Sequence, residues 1–209
     1  MQTSPLSGRK AQAARNDEVI LTAAKAVFTA TPDAPISAVA EKAGVGIGAL
    51  YRRYRSKDEL LQRLSLDTMA RYHELAEAAA AAEGDRWQAF AAFMSGCVEA
   101  GSGALSIRLA GGFTITPEIV AAATEAHRLT QRLLDLTKAA GVLRQDIEVG
   151  DISLLLEQLQ AVRISDAART AVLRQRYLTV MLDGLRDQKA SPLPGPAPDW
   201  TEIGRRYAD

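Results

Sequence analysis

Cysteine occurs once in these 209 residues, at Cys97, and histidine twice, at His73 and His127. A single thiol excludes an intrachain disulfide and a cysteine metal cluster. The two histidines are far apart in sequence and lack metal-ligand spacing, so no metal site is expected. Gly44, Gly46 and Gly48 alternate, but they fall between helices and follow no strand, so they do not read as a nucleotide-binding loop. No serine sits in a nucleophile-elbow pattern. The chain is therefore not expected to be an enzyme, and no cofactor is expected. No apolar run is long enough to span a membrane. The opening stretch, MQTSPLSGRKAQAARNDE, is polar and lacks the apolar core of a secretory signal, which makes the cytoplasm the expected location. Aromatics are scarce at 5% while alanines abound, a balance that favours closely packed helices over a sheet.

Net charge is also missing: 25 basic residues balance 25 acidic ones. That zero averages two unlike parts. Residues 1–60 hold nine Lys/Arg against six Asp/Glu, and the remainder holds 16 against 19. The first part is thus +3 and the second −3, with basic residues gathered where a polyanion would be read. A solvated charged face explains the charge equally well.

What is present starts with Ile36 to Leu61, ISAVAEKAGVGIGALYRRYRSKDELL. Val39, Ala40 and Ala43 share a helix face, Gly44 breaks the helix, and Leu50 and Tyr54 resume the spacing. Tyr51, Arg52, Arg53 and Arg55 stand beside them. Two short helices about a glycine turn form a helix-turn-helix, whose second helix enters the major groove. The alternative on this stretch alone is a plain helical corner. The flanks argue against it. Arg15 to Ala30 reads as an amphipathic helix with Ile20, Ala23, Ala24, Val27 and Phe28 on one stripe, and Asn16-Asp17-Glu18 supplying a cap and first-turn acids. Ser56-Lys57-Asp58-Glu59 reads as a capping box that opens a long fourth helix over 57–82.

With Ile20, Ala23, Ala24, Phe28, Val39-Ala40, Ala43-Gly44-Val45, Gly48 to Tyr54, Lys57 and Leu60 in this order, the sequence resembles the TetR (tetracycline-repressor-like) family of transcription regulators. The resemblance covers about 50 residues, roughly a quarter of the chain. It implies an all-α protein with an N-terminal three-helix DNA-binding domain and a larger helical domain for ligand binding and dimerisation. It also implies repression released by a small molecule. By position, Tyr51 and Arg53 match contacts to phosphate or bases, Lys57 matches a phosphate contact, and Arg52 lies between them on the same helix. Ile47, Gly48 and Ala49 match the base-facing end of the recognition helix, and Ser37 a groove-facing position. Gly46 and Ala49 depart from the family pattern, where serine and threonine are common. Both changes remove hydroxyls, which shifts readout towards thymine methyls and shape.

The expected domains are 1–61, 62–188 and a proline-rich tail over 189–209. Beyond the fourth helix, helices are expected from Arg86 to about Ala100, over Ala104 to Leu109, from Pro117 to about Ala140, from Ile152 to Val162 and from Ala167 to Arg186. Arg144 to Gly150 reads as a connection with Arg144 and Asp146 solvated. Four prolines between Ser191 and Pro198 predict an extended tail with a short docked turn near Trp200 and Ile203.

An effector pocket is expected among Phe90, Phe93, Met94 and Phe113, with Cys97, His127 and Gln131 as further candidates; ordinary core packing is the competing account for each. Arg108, Gln158 and Arg163 are other polar residues in apolar stretches. The helices over 152–162 and 167–186 carry leucines and valines on more than one face, which predicts a homodimer and hence a (pseudo)palindromic double-stranded operator. The expected protein is a regulator, most simply a ligand-released repressor. An activator of the same fold is one alternative, and a helical interaction module without specific DNA binding is another.

Overall fold

The computed structural model describes residues 5–101, 113–186 and 191–205, and within these ranges the chain is helical apart from its connections. In chain order the helices are α1 (Pro5–Ala30), α2 (Ile36–Ala43), α3 (Ile47–Arg53), α4 (Lys57–Ala81), α5 (Arg86–Ala100), α6 (Pro117–Ala139), α7 (Val149–Ala161), α8 (Ala167–Leu185) and α9 (Trp200–Arg205). The helix expected over 104–109 lies outside the described residues. Two compact units emerge. The first is Met1–Leu64 with Gly112–Thr114, and the second is Ser65–Gly111 with Ile115–Asp209.

In the first unit, α1 packs on α2 and α2 on α3. Its core holds Ile20, Ala24, Phe28, Val39, Leu50, Leu60 and Leu61, each nearly or wholly buried. Burying a side chain such as Phe28 contributes about 1.5–3 kcal/mol to this small core. Gly44 ends α2 with φ 66°, and its amide bonds Glu41 O at 3.1 Å while Val45 N bonds Ala40 O at 3.0 Å. A side chain there would meet no neighbour. The left-handed backbone is what calls for glycine.

Two boundaries differ from the sequence reading here. Helix α1 starts ten residues earlier than expected, at Pro5. Residues 9–15, RKAQAAR, are strong helix formers behind a proline suited to a first turn, so nothing stops the helix at Asn16. Asp17 is consequently interior to the helix instead of in its first turn. The capping box at α4 is shifted too. Glu59 N donates to Ser56 Oγ at 3.0 Å as expected, but the Glu59 carboxylate accepts from Arg55 N at 2.7 Å.

In the second unit, α5 packs against α6, α7 and α8 around one apolar cluster that includes Trp87, Phe90, Phe93, Met94, Leu133, Leu156, Leu159 and Leu178. Asp85 caps α5 by accepting from Gln88 N, and Thr116 caps α6 by accepting from Ile119 N. Helix α7 begins at Val149, three residues before the expected start, because Asp151 in its first turn accepts from Glu148 N at 2.9 Å.

The connection before α7 also corrects an expectation. Arg144 and Asp146 are not simply solvated. Arg144 Nε and Nη2 reach Asp146 at 2.6 and 2.9 Å, and the same guanidinium donates to Gly184 O at 3.2 Å and Ser191 O at 2.7 Å. Leu193 N returns a bond to Asp146 at 3.1 Å, and Leu143 forms one antiparallel bridge with Arg186. A guanidinium with five donors can serve a carboxylate and two carbonyls together. The tail runs on without helix until α9, where Ile203 is buried and Trp200 meets His127 with ring centroids 4.9 Å apart. A Cβ on Gly150 would lie 2.0 Å from Pro198 O, so the tail crosses α7 at a point only glycine allows.

Candidate nucleic-acid interface and effector region

The turn geometry leaves α3 with two unlike faces. Leu50 is fully buried and Tyr54 nearly so, against α1 and the rest of the first core. Ile47, Gly48, Ala49, Tyr51 and Arg52 are exposed, as is Ser37 on α2. Ile47 and Tyr51 are more than two-fifths exposed, which is unusual for large apolar or aromatic side chains in a small core. Nothing lies within 4 Å of a Cβ placed on Gly46, and only the Arg52 guanidinium approaches one on Gly48. The start of α3 is thus smooth, apolar and open. Such a surface can meet base edges closely.

Arg53 and Lys57 are engaged within the protein. Arg53 Nε and Nη2 donate to the two carboxylate oxygens of Asp17 at 2.8 and 2.6 Å, and the Tyr54 hydroxyl donates to the same carboxylate. The Arg53 guanidinium beside it holds the Asp17 carboxyl below its ordinary value of 3.8, more strongly than burial raises it. Burial, with Asp17 alongside, pushes the Tyr54 hydroxyl well up. Lys57 Nζ donates to Pro32 O at 3.3 Å and lies 5.1 Å from the centre of the Phe28 ring. It stands at the first residue of α4, where unbonded amides favour an anion. In the same turn Asp58 accepts from Thr114 N at 2.7 Å, and Gln62 donates to Thr114 O at 3.0 Å. Thr114 precedes α6 by three residues.

The candidate effector residues divide. Phe90, Phe93, Met94 and Cys97 come together in the core of the second unit, all but fully buried. Burial pushes the Cys97 thiol well up, which suppresses the reactive thiolate. Phe113 is buried as well but belongs to the first unit and is not part of that cluster. Gln131 donates to Asp135 at 2.9 Å one turn along α6. His127 is half-buried under Trp200, and its Nδ1 is buried with no partner among the described residues. Gln158 and Arg163 are exposed, and Arg108 is outside the described residues.

Sequence reading missed the polar groups inside the second unit. The Tyr72 hydroxyl and Thr130 Oγ1 are 2.6 Å apart, Tyr72 packs edge-on to Phe93 at 5.3 Å, and Gln160 Nε2 donates to Val98 O at 2.8 Å. The available signal was a glutamine or threonine set among leucines, as in Leu159-Gln160 and Leu129-Thr130.

Among the described residues there is no helix long and apolar enough to cross a membrane and no group of side chains that could hold a metal ion. No curated protein matches the sequence. Residues 20–64 match the family model for bacterial regulatory proteins of the tetR family, and residues 85–187 match that for the C-terminal domain of SbtR-like transcriptional regulators. Solved structures agree in fold. A TetR transcription regulatory protein from Mycobacterium vanbaalenii is 29% identical, with 85% of this chain and 98% of that one covered at a TM-score of 0.59. A TetR transcriptional regulator from Streptomyces coelicolor is 24% identical, with 81% and 98% covered at 0.58. The TetR-like regulator LfrR from Mycobacterium smegmatis, solved with proflavine, is 20% identical, with 80% and 96% covered at 0.57. With its helix-turn-helix and most of its second unit both matched, the chain belongs to the TetR family of DNA-binding transcription regulators, and is not an enzyme.

Proposed function

We propose that the protein is a cytoplasmic homodimeric repressor that leaves a (pseudo)palindromic operator when a small hydrophobic or amphipathic molecule binds its second unit. The observation that carries the DNA reading is the exposed face of α3, where Ile47, Gly48, Ala49, Tyr51 and Arg52 stand out of a core that holds Leu50 and Tyr54. Without the family's usual hydroxyls, Ile47 and Ala49 favour thymine methyls. Tyr51, Arg52 and Lys57 supply phosphate contacts.

Dimerisation is supported by α8. Val172, Tyr177 and Val180 are exposed by 46–65%, although Leu178 and Leu185 of the same helix are buried in the subunit's own core. A two-fold axis through this face covers them, and a symmetric pair of helix-turn-helix proteins reads two half-sites about 34 Å apart, one turn of DNA. Leu178, on the same helix, is buried within the subunit and tests the core instead. The ligand reading rests on the family resemblance: Phe90 and Phe93, with Tyr72 and Thr130 beside them, are packed core of the second unit, and a molecule bound there would displace part of that core. Proflavine, bound by LfrR, is a planar aromatic cation and a reasonable first probe.

The test is a mobility shift on the DNA flanking the protein's own gene. Arg52→Ala and Lys57→Ala should each weaken binding and make the salt slope shallower by about one, and Tyr51→Phe should cost about 1 kcal/mol. Folded variants that all bind like the parent would sink this interface. Val180→Glu should give a monomer by sedimentation with lost operator binding, and a normal dimer would reject the α8 face.

A further inference from the structure

Arg53 occupies a position where the family resemblance implies a DNA contact, yet its charge is already spent inside the first unit. Its Nε and Nη2 both donate to Asp17 across 36 residues of sequence, in a fork with the guanidinium half exposed and the carboxylate almost buried. Tyr54 adds a third bond to that carboxylate. The fork joins the middle of α1 to the last turn of α3. It therefore fixes the end of the helix whose other end reads DNA. A planar bidentate pair constrains both distance and angle, which a single phosphate-seeking arginine does not. The charged groups around it are Arg63 on α4, which lowers the Asp17 carboxyl further, and Glu59, which acts on Arg53.

We propose that Asp17 is a positioning residue for operator recognition, which withholds Arg53 from the phosphate backbone and locks the tilt of α3. The inference rests on α3 being the recognition helix. In the parent protein, Arg53 then adds order but no counterion release. Freed from Asp17, its half-exposed guanidinium is available to any phosphate, irrespective of sequence, while α3 loses its anchor. Removal of the carboxylate thus exchanges sequence discrimination for indiscriminate affinity.

The experiment measures binding against salt for a duplex selected by the parent protein from a randomised library, and for a scrambled duplex of the same length. Asp17→Asn should steepen the salt slope on the scrambled duplex by about one, since each new phosphate contact adds about 0.9. It should reduce the preference for the selected duplex by about ten-fold, on the scale of one mismatched base pair. Asp17→Asn combined with Arg53→Gln should return the slope to the parent value but not the preference. Arg53→Gln alone should lower the preference with the slope unchanged. A slope unchanged in Asp17→Asn overturns the proposal. So does a slope that stays steep in the double variant, because the lost carboxylate itself would then be the cause. If Asp17→Asn does not fold, a shallower slope in Arg53→Gln overturns it equally. Arg52→Ala serves as the control: unchanged binding there removes α3 as the reader, whereas weakened binding with a silent Asp17→Asn removes this proposal alone.

Discussion

Among the described residues two arginine–aspartate forks hold the chain, and they are built in opposite senses. In the first unit the aspartate is the sheltered partner, with side-chain exposures of 12% for Asp17 and 55% for Arg53. In the second the arginine is sheltered, at 12% for Arg144 and 40% for Asp146. The first fork has no other acceptor to share its arginine among the bonds described, and it aligns two helices. The second distributes its arginine over a carboxylate and two carbonyl oxygens, and it gathers the end of α8 and the start of the tail. The difference teaches which partner matters more. A sheltered charge stripped of its counterpart costs most where nothing else can solvate it.

The largest effect is expected from Arg53→Leu, which leaves the Asp17 carboxylate with Tyr54 alone. It should destabilise the first unit by about 2 kcal/mol, reduced from a fully buried pair because Arg53 is half exposed. Urea unfolding checks this, and a loss below one quarter of that value would erase the contrast between the forks. Next comes Gly150→Val, which puts a side chain into the space of Pro198 O and should cost about 1–2 kcal/mol as the tail is displaced. Fluorescence of Trp200, freed from His127, would report the displacement. A smaller loss, about 1 kcal/mol, is expected for Tyr72→Phe, which breaks the bond to Thr130 and leaves the Phe93 contact in place. The smallest belongs to Asp146→Asn, because Arg144 keeps both carbonyl partners; its melting temperature should stay close to that of the parent.

Acid sharpens the same comparison. The Asp17 carboxyl titrates below its ordinary 3.8 in the folded protein, so its contribution is complete above that value and is lost as pH falls through the lower folded one. Asp146 is likewise held low, by Arg144 first and by Leu193 N second. Acid unfolding below pH 4 should therefore be less steep in Asp17→Asn than in the parent, when the two are compared by circular dichroism. Identical acid limbs would mean that the fork contributes nothing.

How far the sequence reveals this molecule follows from the range of the interactions. Helices α2, α3, α5, α6 and α8 were legible because their signals are local: Gly44 in a left-handed turn, Asp85, Thr116 and Asp166 as caps, and apolar spacing between them. The buried Leu50 and Tyr54 followed from the same periodicity. The early starts of α1 and α7 were not, since acids that suit a first turn also occur inside helices or one turn on. Both forks escaped detection for a different reason. Nothing in the neighbourhood of Asp17 points to a partner 36 residues away, and nothing near Arg144 points to the carbonyl of Ser191. The open face of α3 was legible in kind, through the small and basic residues around Tyr51. That Arg53 is drawn off it was not.

Cys97 gives the molecule a clock. It is the sole thiol of the chain, it has no exposed surface, and its burial disfavours the thiolate. A thiol reagent can reach it only when the core of the second unit opens, so the alkylation rate measures how often that happens. The first unit has no cysteine and stays silent. In a protein of two units, one unaltered side chain thus times the opening of one of them, and anything that binds and braces that core should slow its ticking.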